Sequence, residues 1–308
     1  MIIFASGRTD IPAFYSEWFL NRVRAGFADV RNPYAPQKVT RYRLDQKTVD
    51  CIVFCTKNPA PIIPRLDELK GFGIYFFVTI TPYKKEIEPN VPEKSKVIES
   101  FARLSQKIGK EKICWRYDPI FVDSTYTVAS HIREFKKMCA TLSPYTSRCV
   151  ISFVDLYSKT KRNFPELKEV SEDDQKFIAG SFSRIAFEYG IEVEACAEKL
   201  DLSPYGVKKG TCVSKEIVEK VTNERLLKCG VQNLRKHCEC LPMRDIAYYN
   251  CCPHLCRYCY ANYDENLVRK NFARHNPKSS FLIGESSPDD IVREAKQESF
   301  RDLQLYLF

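Results

Sequence analysis

The most chemically informative stretch is Cys252-Pro-His-Leu-Cys256-Arg-Tyr-Cys259-Tyr260, a C-x3-C-x2-C run with Tyr258 just before its last cysteine. Three thiolates in eight residues can wrap three irons of a [4Fe-4S] cube and leave the fourth iron open to a substrate or cofactor. Zinc more often takes two separated pairs of ligands in a closed four-coordinate site, so this spacing suits zinc less well, even with His254 inside the run. Plain buried thiols are the remaining reading. Cys251 lies outside the spacing and reads as a bystander.

A second set is looser: Cys196, Cys212 and the Cys238-Glu-Cys240 pair. These four suit a further iron–sulfur cluster or a zinc site, and Cys238 with Cys240 alone a zinc pair or redox dithiol, against reduced and partly buried thiols as the plain reading. Fourteen cysteines in all, nine of them between residues 196 and 259, need an explanation in a chain whose start has no basic n-region and only a four-residue apolar run. Disulfides are not expected in the cytoplasm, which is the compartment this start suggests. Crowded thiolates repel unless a cation holds them, so a metal is expected.

The elements that must position these groups follow a repeating pattern. Apolar runs at Ile2–Ala5, Cys51–Cys55, Ile74–Ile80, Ile113–Tyr117, Cys149–Val154 and Ile191–Ala195 read as strands covered on both faces. Helix-period segments lie near 12–25, 60–70, 93–109, 128–142 and 171–189, the last with a start at Ser171-Glu-Asp-Asp174 and a stop at Gly190. Six βα units in succession predict an α/β fold: a (β/α) barrel-like core, a partial or rearranged TIM-type barrel, over residues 1–200. Residues 201–285, with one more helix near 214–229, read as a cysteine-rich iron–sulfur segment packed on the barrel mouth. Residues 286–308 read as a C-terminal amphipathic helix with Phe300, Leu303, Leu305 or Tyr306 inward.

Polar residues recur where these strands end. Ser6, Arg8 and Asp10 follow the first, Lys57 the second, Thr79 and Thr81 the third. Arg116 and Asp118 share a face of the fourth, Asp155 follows the fifth, and Glu194, Cys196 and Glu198 follow the sixth. Groups at successive carboxyl ends converge on one mouth, where parallel α/β enzymes keep their chemistry. Arg8, Asp10, Lys57, Arg116, Asp118, Asp155 and Glu198 are therefore the candidate catalytic and substrate-contacting residues, against an ion-pair network that merely closes the mouth. Arg and Lys suit a carboxylate or phosphate, and the carboxylates suit ribose hydroxyls or a proton. Trp115 and Tyr117 read as core. The net charge of +9 permits nucleic-acid binding but comes in scattered pairs, and no run approaches a membrane span.

The C-x3-C-x2-C spacing with Tyr258 resembles the cluster loop of the radical-SAM superfamily. The longer string Tyr249-Asn-Cys-Cys-Pro-His-Leu-Cys-Arg-Tyr-Cys-Tyr-Ala-Asn262 is closer still to the bacterial DUF1848 family. That likeness extends to Ser6-Gly-Arg-Thr-Asp-Ile-Pro12, Thr56-Lys-Asn-Pro59, Arg116-Tyr-Asp-Pro119, Ser152-Phe-Val-Asp155 and Cys196-Ala-Glu198. It implies a cluster on Cys252, Cys256 and Cys259 whose open iron chelates the methionine end of S-adenosylmethionine, with Tyr258 beside the cofactor. One electron from a ferredoxin- or flavodoxin-type reductant would then release a 5′-deoxyadenosyl radical onto a small-molecule or nucleic-acid substrate, and the enzyme would be oxygen-sensitive. The superfamily usually carries this loop after the first strand, whereas here it follows the sixth, and no Gly-Gly-Glu-like segment is evident. That order suits a rearranged barrel, or a C-terminal extension folding back onto the mouth. From other classes, the same cysteines suit a non-catalytic iron–sulfur or zinc nucleic-acid-binding protein, or an electron-transfer or sensor protein.

Overall fold

The computed structural model describes residues 1–227, 229–231 and 238–302. Its strands are β1 (Ile2–Phe4), β2 (Phe27–Asn32), β3 (Ala35–Arg43), β4 (Cys51–Thr56), β5 (Gly73–Thr79), β6 (Ile113–Ile120), β7 (Arg148–Phe153), β8 (Glu192–Cys196), β9 (Lys208–Gly210), β10 (Met243–Asp245) and β11 (Ile291–Glu294). Eight of them form one parallel sheet in the order β10-β1-β4-β5-β6-β7-β8-β9. The six apolar runs seen in the sequence are β1, β4, β5, β6, β7 and β8. Among the described residues no ladder joins β9 to β10.

Alternation along the strands sorts the side chains onto two faces. Ile3, Ile52, Phe76, Trp115 and Ile151 join the larger core under the helices. Ile2, Val53, Tyr75, Phe77, Cys114 and Val150 join a smaller cluster, which also holds Cys196, Cys212, Cys238 and Cys240. Trp115 and Tyr117 are fully buried, as the sequence suggested.

The helices are α1 (Ile11–Phe14), α2 (Ser16–Ala25), α3 (Lys94–Ile108), α4 (Val128–Leu142), α5 (Ser158–Asn163), α6 (Glu172–Glu188), α7 (Lys215–Thr222) and α8 (Glu265–Ala273). Local chemistry sets their ends. The Ser171 hydroxyl accepts from the Asp174 N–H (3.2 Å), with acidic residues through the first turn of α6, and Gly190 follows at φ 66°. The helix expected near 214–229 stops earlier, because Asn223 takes a left-handed conformation (φ 56°) and caps α7. The segment near 60–70 is a 3-10 helix, Ile63–Leu69. No described helix is long and apolar enough to cross a membrane.

Two expectations are corrected. The division at residue 200 does not hold as a structural boundary, since β9 and β10 from the later segment complete the sheet. The C-terminal helix is absent from the described part of 286–308: Ile291–Glu294 is β11, paired in parallel with β3 from Ile291↔Lys38 to Glu294↔Arg41 in a three-stranded sheet with β2. The unpaired edge of β3 offers backbone hydrogen bonds that outweigh the weak helix propensity of Ile291 and Val292. Phe300 does pack inward, against the smaller cluster, while Leu303, Leu305 and Tyr306 lie outside the described residues.

Candidate metal centre

The loop from residue 249 to 263 is a closed turn built by asparagines. Asn250 and Leu255 adopt left-handed backbones (φ 50° and 55°), which bend the chain back on itself. The Asn250 N–H donates to the Ala261 carbonyl (3.1 Å), its side-chain carbonyl accepts from Tyr263 N–H (2.8 Å), and Asn262 Nδ2 donates to the Cys252 carbonyl (2.7 Å). Within the turn, Ala261 and Asn262 each aim a backbone N–H at Cys259 Sγ (3.4 Å). Such donors favour the thiolate.

The turn is fastened to the carboxyl ends of β1, β4 and β5. His254 Nε2 lies 3.0 Å from Asp10 Oδ2, which also accepts from the Lys57 N–H (2.7 Å). His254 Nδ1 lies 3.3 Å from the Asn90 carbonyl, so both ring nitrogens are engaged and the imidazole is not a spare zinc ligand. Arg257 N–H donates to the Ile87 carbonyl (3.0 Å). Tyr258 is buried with its hydroxyl on the Glu88 carboxylate, which Thr81 Oγ1 (2.7 Å), Lys57 Nζ (2.8 Å) and Lys94 also reach. Tyr258 thus anchors the loop through Glu88.

Without metal, burial pushes all three thiols up. Cys252 is raised further by Asp10 and by Cys259 and Cys256, and Cys256 reaches about 12 although Lys57 pulls it down. Cys259 is raised by burial against the opposing backbone donors. A bound cation is what would ionise them. Cys251 is likewise pushed up to about 12 by burial, and its thiol donates to the Tyr248 carbonyl (3.1 Å).

Three cysteines of the looser set do meet. Cys196 at the end of β8, Cys212 just after β9 and Cys240 just before β10 are buried, with all three sulfurs within 4.8 Å of one another. They could hold a metal ion. Cys238 is buried but stands outside this group. Arg116 Nη1 lies 3.7 Å from Cys212 Sγ, and Arg116 also pairs with Asp118.

A family model described as "Domain of unknown function (DUF1848)" matches residues 2–261, which takes in both cysteine groups and every candidate mouth residue. The chain belongs to the DUF1848 family. Comparison with the curated proteins finds no match. Among solved structures, the chain is similar to a "putative alpha-L-fucosidase from Bacteroides thetaiotaomicron VPI-5482", at 13% identity and a TM-score of 0.30 over 53% of this chain and 49% of that one. The chain thus spans about half the length of that structure, and so slight a likeness bears on neither fold nor activity.

The remaining mouth residues of this DUF1848 chain divide between the two cysteine groups. Asp10 and Lys57 belong to the loop, Arg116 and Asp118 to the second group. Arg8 sits apart, in an ion pair with Asp245 (3.0 Å) and on the Ala247 carbonyl (3.3 Å). Asp155 accepts from the Tyr157 hydroxyl (3.1 Å). Ser6 Oγ is buried with no hydrogen-bond partner among the described residues. Glu88, Lys94 and Asp245 escaped the sequence reading. Glu88 sits in Lys84-Lys-Glu-Ile-Glu88, which has the composition of a solvated turn and carries no sign of burial.

Glu198 Oε1 accepts from Ser152 Oγ and the Phe153 N–H, both at 2.9 Å. Burial pushes its carboxyl up to about 7 from 4.5, aided by Asp118 and Asp155. The folded state therefore binds the extra proton between those values, so this group's contribution to stability falls as pH rises through them. Glu198→Gln keeps the acceptor and removes the charge. We expect it to melt higher than the parent at pH 8 and to lose that advantage below pH 4.5, as read from thermal scans across pH. An unchanged difference between the two pH values would mean that Glu198 is not held near neutrality.

Proposed function

We propose that this chain is an iron–sulfur enzyme of radical-SAM type, with Cys252, Cys256 and Cys259 holding a [4Fe-4S] cluster at the mouth of a partial (β/α) barrel. The observation that carries this reading is the return of the C-terminal loop to the strand ends, through His254 on Asp10 and Tyr258 on Glu88. The strand order is compatible with it, because a parallel sheet running from β10 and β1 at one edge to β9 at the other would close into an eight-stranded barrel if its two edge strands met.

The donor set fits such a cluster. It offers three thiols, a histidine committed elsewhere, and backbone N–H groups on one sulfur. A single tetrahedral zinc would call for a fourth ligand, and the histidine inside the run is engaged with Asp10 and the Asn90 carbonyl. When bound, the cluster supplies an open iron for the methionine end of S-adenosylmethionine and one electron for reductive cleavage of its sulfonium.

The protein's own groups do the rest. Asp10, Glu88 and Asn90 clamp the loop, and the Lys57 ammonium, close to Cys256, offsets thiolate charge. The Glu198 carboxyl, poised at about 7 and facing the charges of Asp118 and Asp155, is suited to hold or pass a proton at the substrate. Arg8, Arg116 and Asp155 complete the candidate contacts. The partner is a one-electron reductant of ferredoxin or flavodoxin type, the substrate a small molecule or nucleic acid, and the setting an oxygen-poor cytoplasm.

The test is anaerobic reconstitution with iron and sulfide, followed by electron paramagnetic resonance of the reduced protein with and without S-adenosylmethionine. A reduced [4Fe-4S] signal that shifts on adding the cofactor supports the reading. Failure to take up iron would sink it. A signal indifferent to the cofactor would also sink it and leave electron transfer or nucleic-acid binding.

A further inference from the structure

We propose that Cys196, Cys212 and Cys240 bind a single zinc ion that ties the end of β8 and the exit of β9 to the chain entering β10. This site is separate from the loop of Cys252, Cys256 and Cys259, and it does not depend on the radical-SAM reading.

Spacing comes first. All three sulfurs lie within 4.8 Å of one another, close to the separation of about 3.8 Å that three ligands of one tetrahedral zinc adopt. A cube places each thiolate on a different iron and spreads the sulfurs farther apart. Among the described residues no fourth histidine, cysteine or carboxylate joins this group.

Charge points the same way. Three thiolates on a divalent cation carry one net negative charge, which is costly in an apolar cluster unless a cation stands beside it. The Arg116 guanidinium does so, 3.7 Å from Cys212 Sγ.

The backbone is held in place before any ion binds. The Leu241 N–H donates to the Val213 carbonyl (3.0 Å), which runs the Cys212 and Cys240 segments side by side. Arg148 donates to the carbonyls of Thr211 (3.1 Å) and Cys212 (3.4 Å) while its Nε pairs with Glu194 (2.6 Å). Such supports orient ligands and tune metal affinity. The site also has a structural purpose. No ladder joins β9 to β10 among the described residues, and a bond from each flank to one ion would bridge that seam.

The experiment uses the full chain carrying Cys252→Ala, Cys256→Ala and Cys259→Ala together, purified under reducing conditions with zinc present. We expect about one zinc per chain by mass spectrometry, thiolate-to-metal charge-transfer absorption after cobalt exchange, and a lower melting temperature after chelation. Adding Cys212→Ser should bring zinc close to zero. The cobalt spectrum of the triple variant serves as the criterion should the quadruple variant fail to fold. No zinc and no cobalt absorption in the triple variant would overturn the site, as would iron with sulfide or a disulfide in its place. Neither result touches the open-iron cluster, which that variant lacks.

Discussion

Replacing Glu88 by Gln is expected to destabilise the protein by about 3–5 kcal/mol at neutral pH, the usual cost of removing one partner from a buried ion pair. Glu88 is 1% exposed and accepts from Lys57, Lys94, Thr81 and Tyr258 together. Glutamine leaves Lys57, fully engaged with Glu88 at present, without its counter-charge. Burial alone would raise the carboxyl, but Lys57 and Lys94 outweigh it and hold it down at about 2, from 4.5. A depressed carboxylate stabilises the fold above its unfolded value and loses that contribution as pH falls through its folded value. The gap between parent and variant should therefore be full above pH 4.5 and shrink steadily towards pH 2. Denaturant titrations at several pH values measure it. A gap under about 1 kcal/mol at neutral pH would place this network among weak surface pairs. Because Tyr258 hangs on the same carboxylate, the variant should also hold iron less firmly in the loop.

Cys256→Ala and Cys251→Ala should part company. The two cysteines lie five positions apart in one turn, yet only Cys256 belongs to the C-x3-C-x2-C set. Loss of a ligand should exceed the 10–100-fold effect typical of groups that merely support ligands. Cys256→Ala is thus expected to lower 5′-deoxyadenosine formation by more than ~100-fold and to leave iron near background. Cys251→Ala, which removes a thiol donating to the Tyr248 carbonyl, should keep iron and product formation within a few-fold of the parent. Iron content and product yield on matched anaerobic samples decide the matter. Equal losses in both variants would mean that the turn, and not the three-thiol set, governs iron binding.

The extent to which the site was legible follows from the range of the interactions involved. Asp10 and Lys57 were found because each follows an apolar run, and the structure puts both against the cysteine loop. Glu88 was missed because nothing in its neighbours marks a charged turn that Tyr258 and two lysines will bury. The sequence placed Cys196, Cys212, Cys238 and Cys240 together as one set, and three of them meet. Which three could not be read from spacings that cross a strand, a helix and a long connection.

By itself the sequence determined six strands of the large sheet, the helices α3, α4 and α6, and the three-thiol loop. Each is written in a short window: β-branched and aromatic runs, helical periodicity with Ser171 and Gly190 as ends, and three cysteines in eight residues. Only the tertiary structure decided that β9 and β10, three residues each, complete the sheet, that Ile291–Glu294 extends β3 as a strand, and that Glu88 becomes the anchor of the loop. Those outcomes rest on backbone donors and buried charges finding partners far along the chain. Such partners exist only once the fold has brought the segments together, and no local pattern of residues announces them.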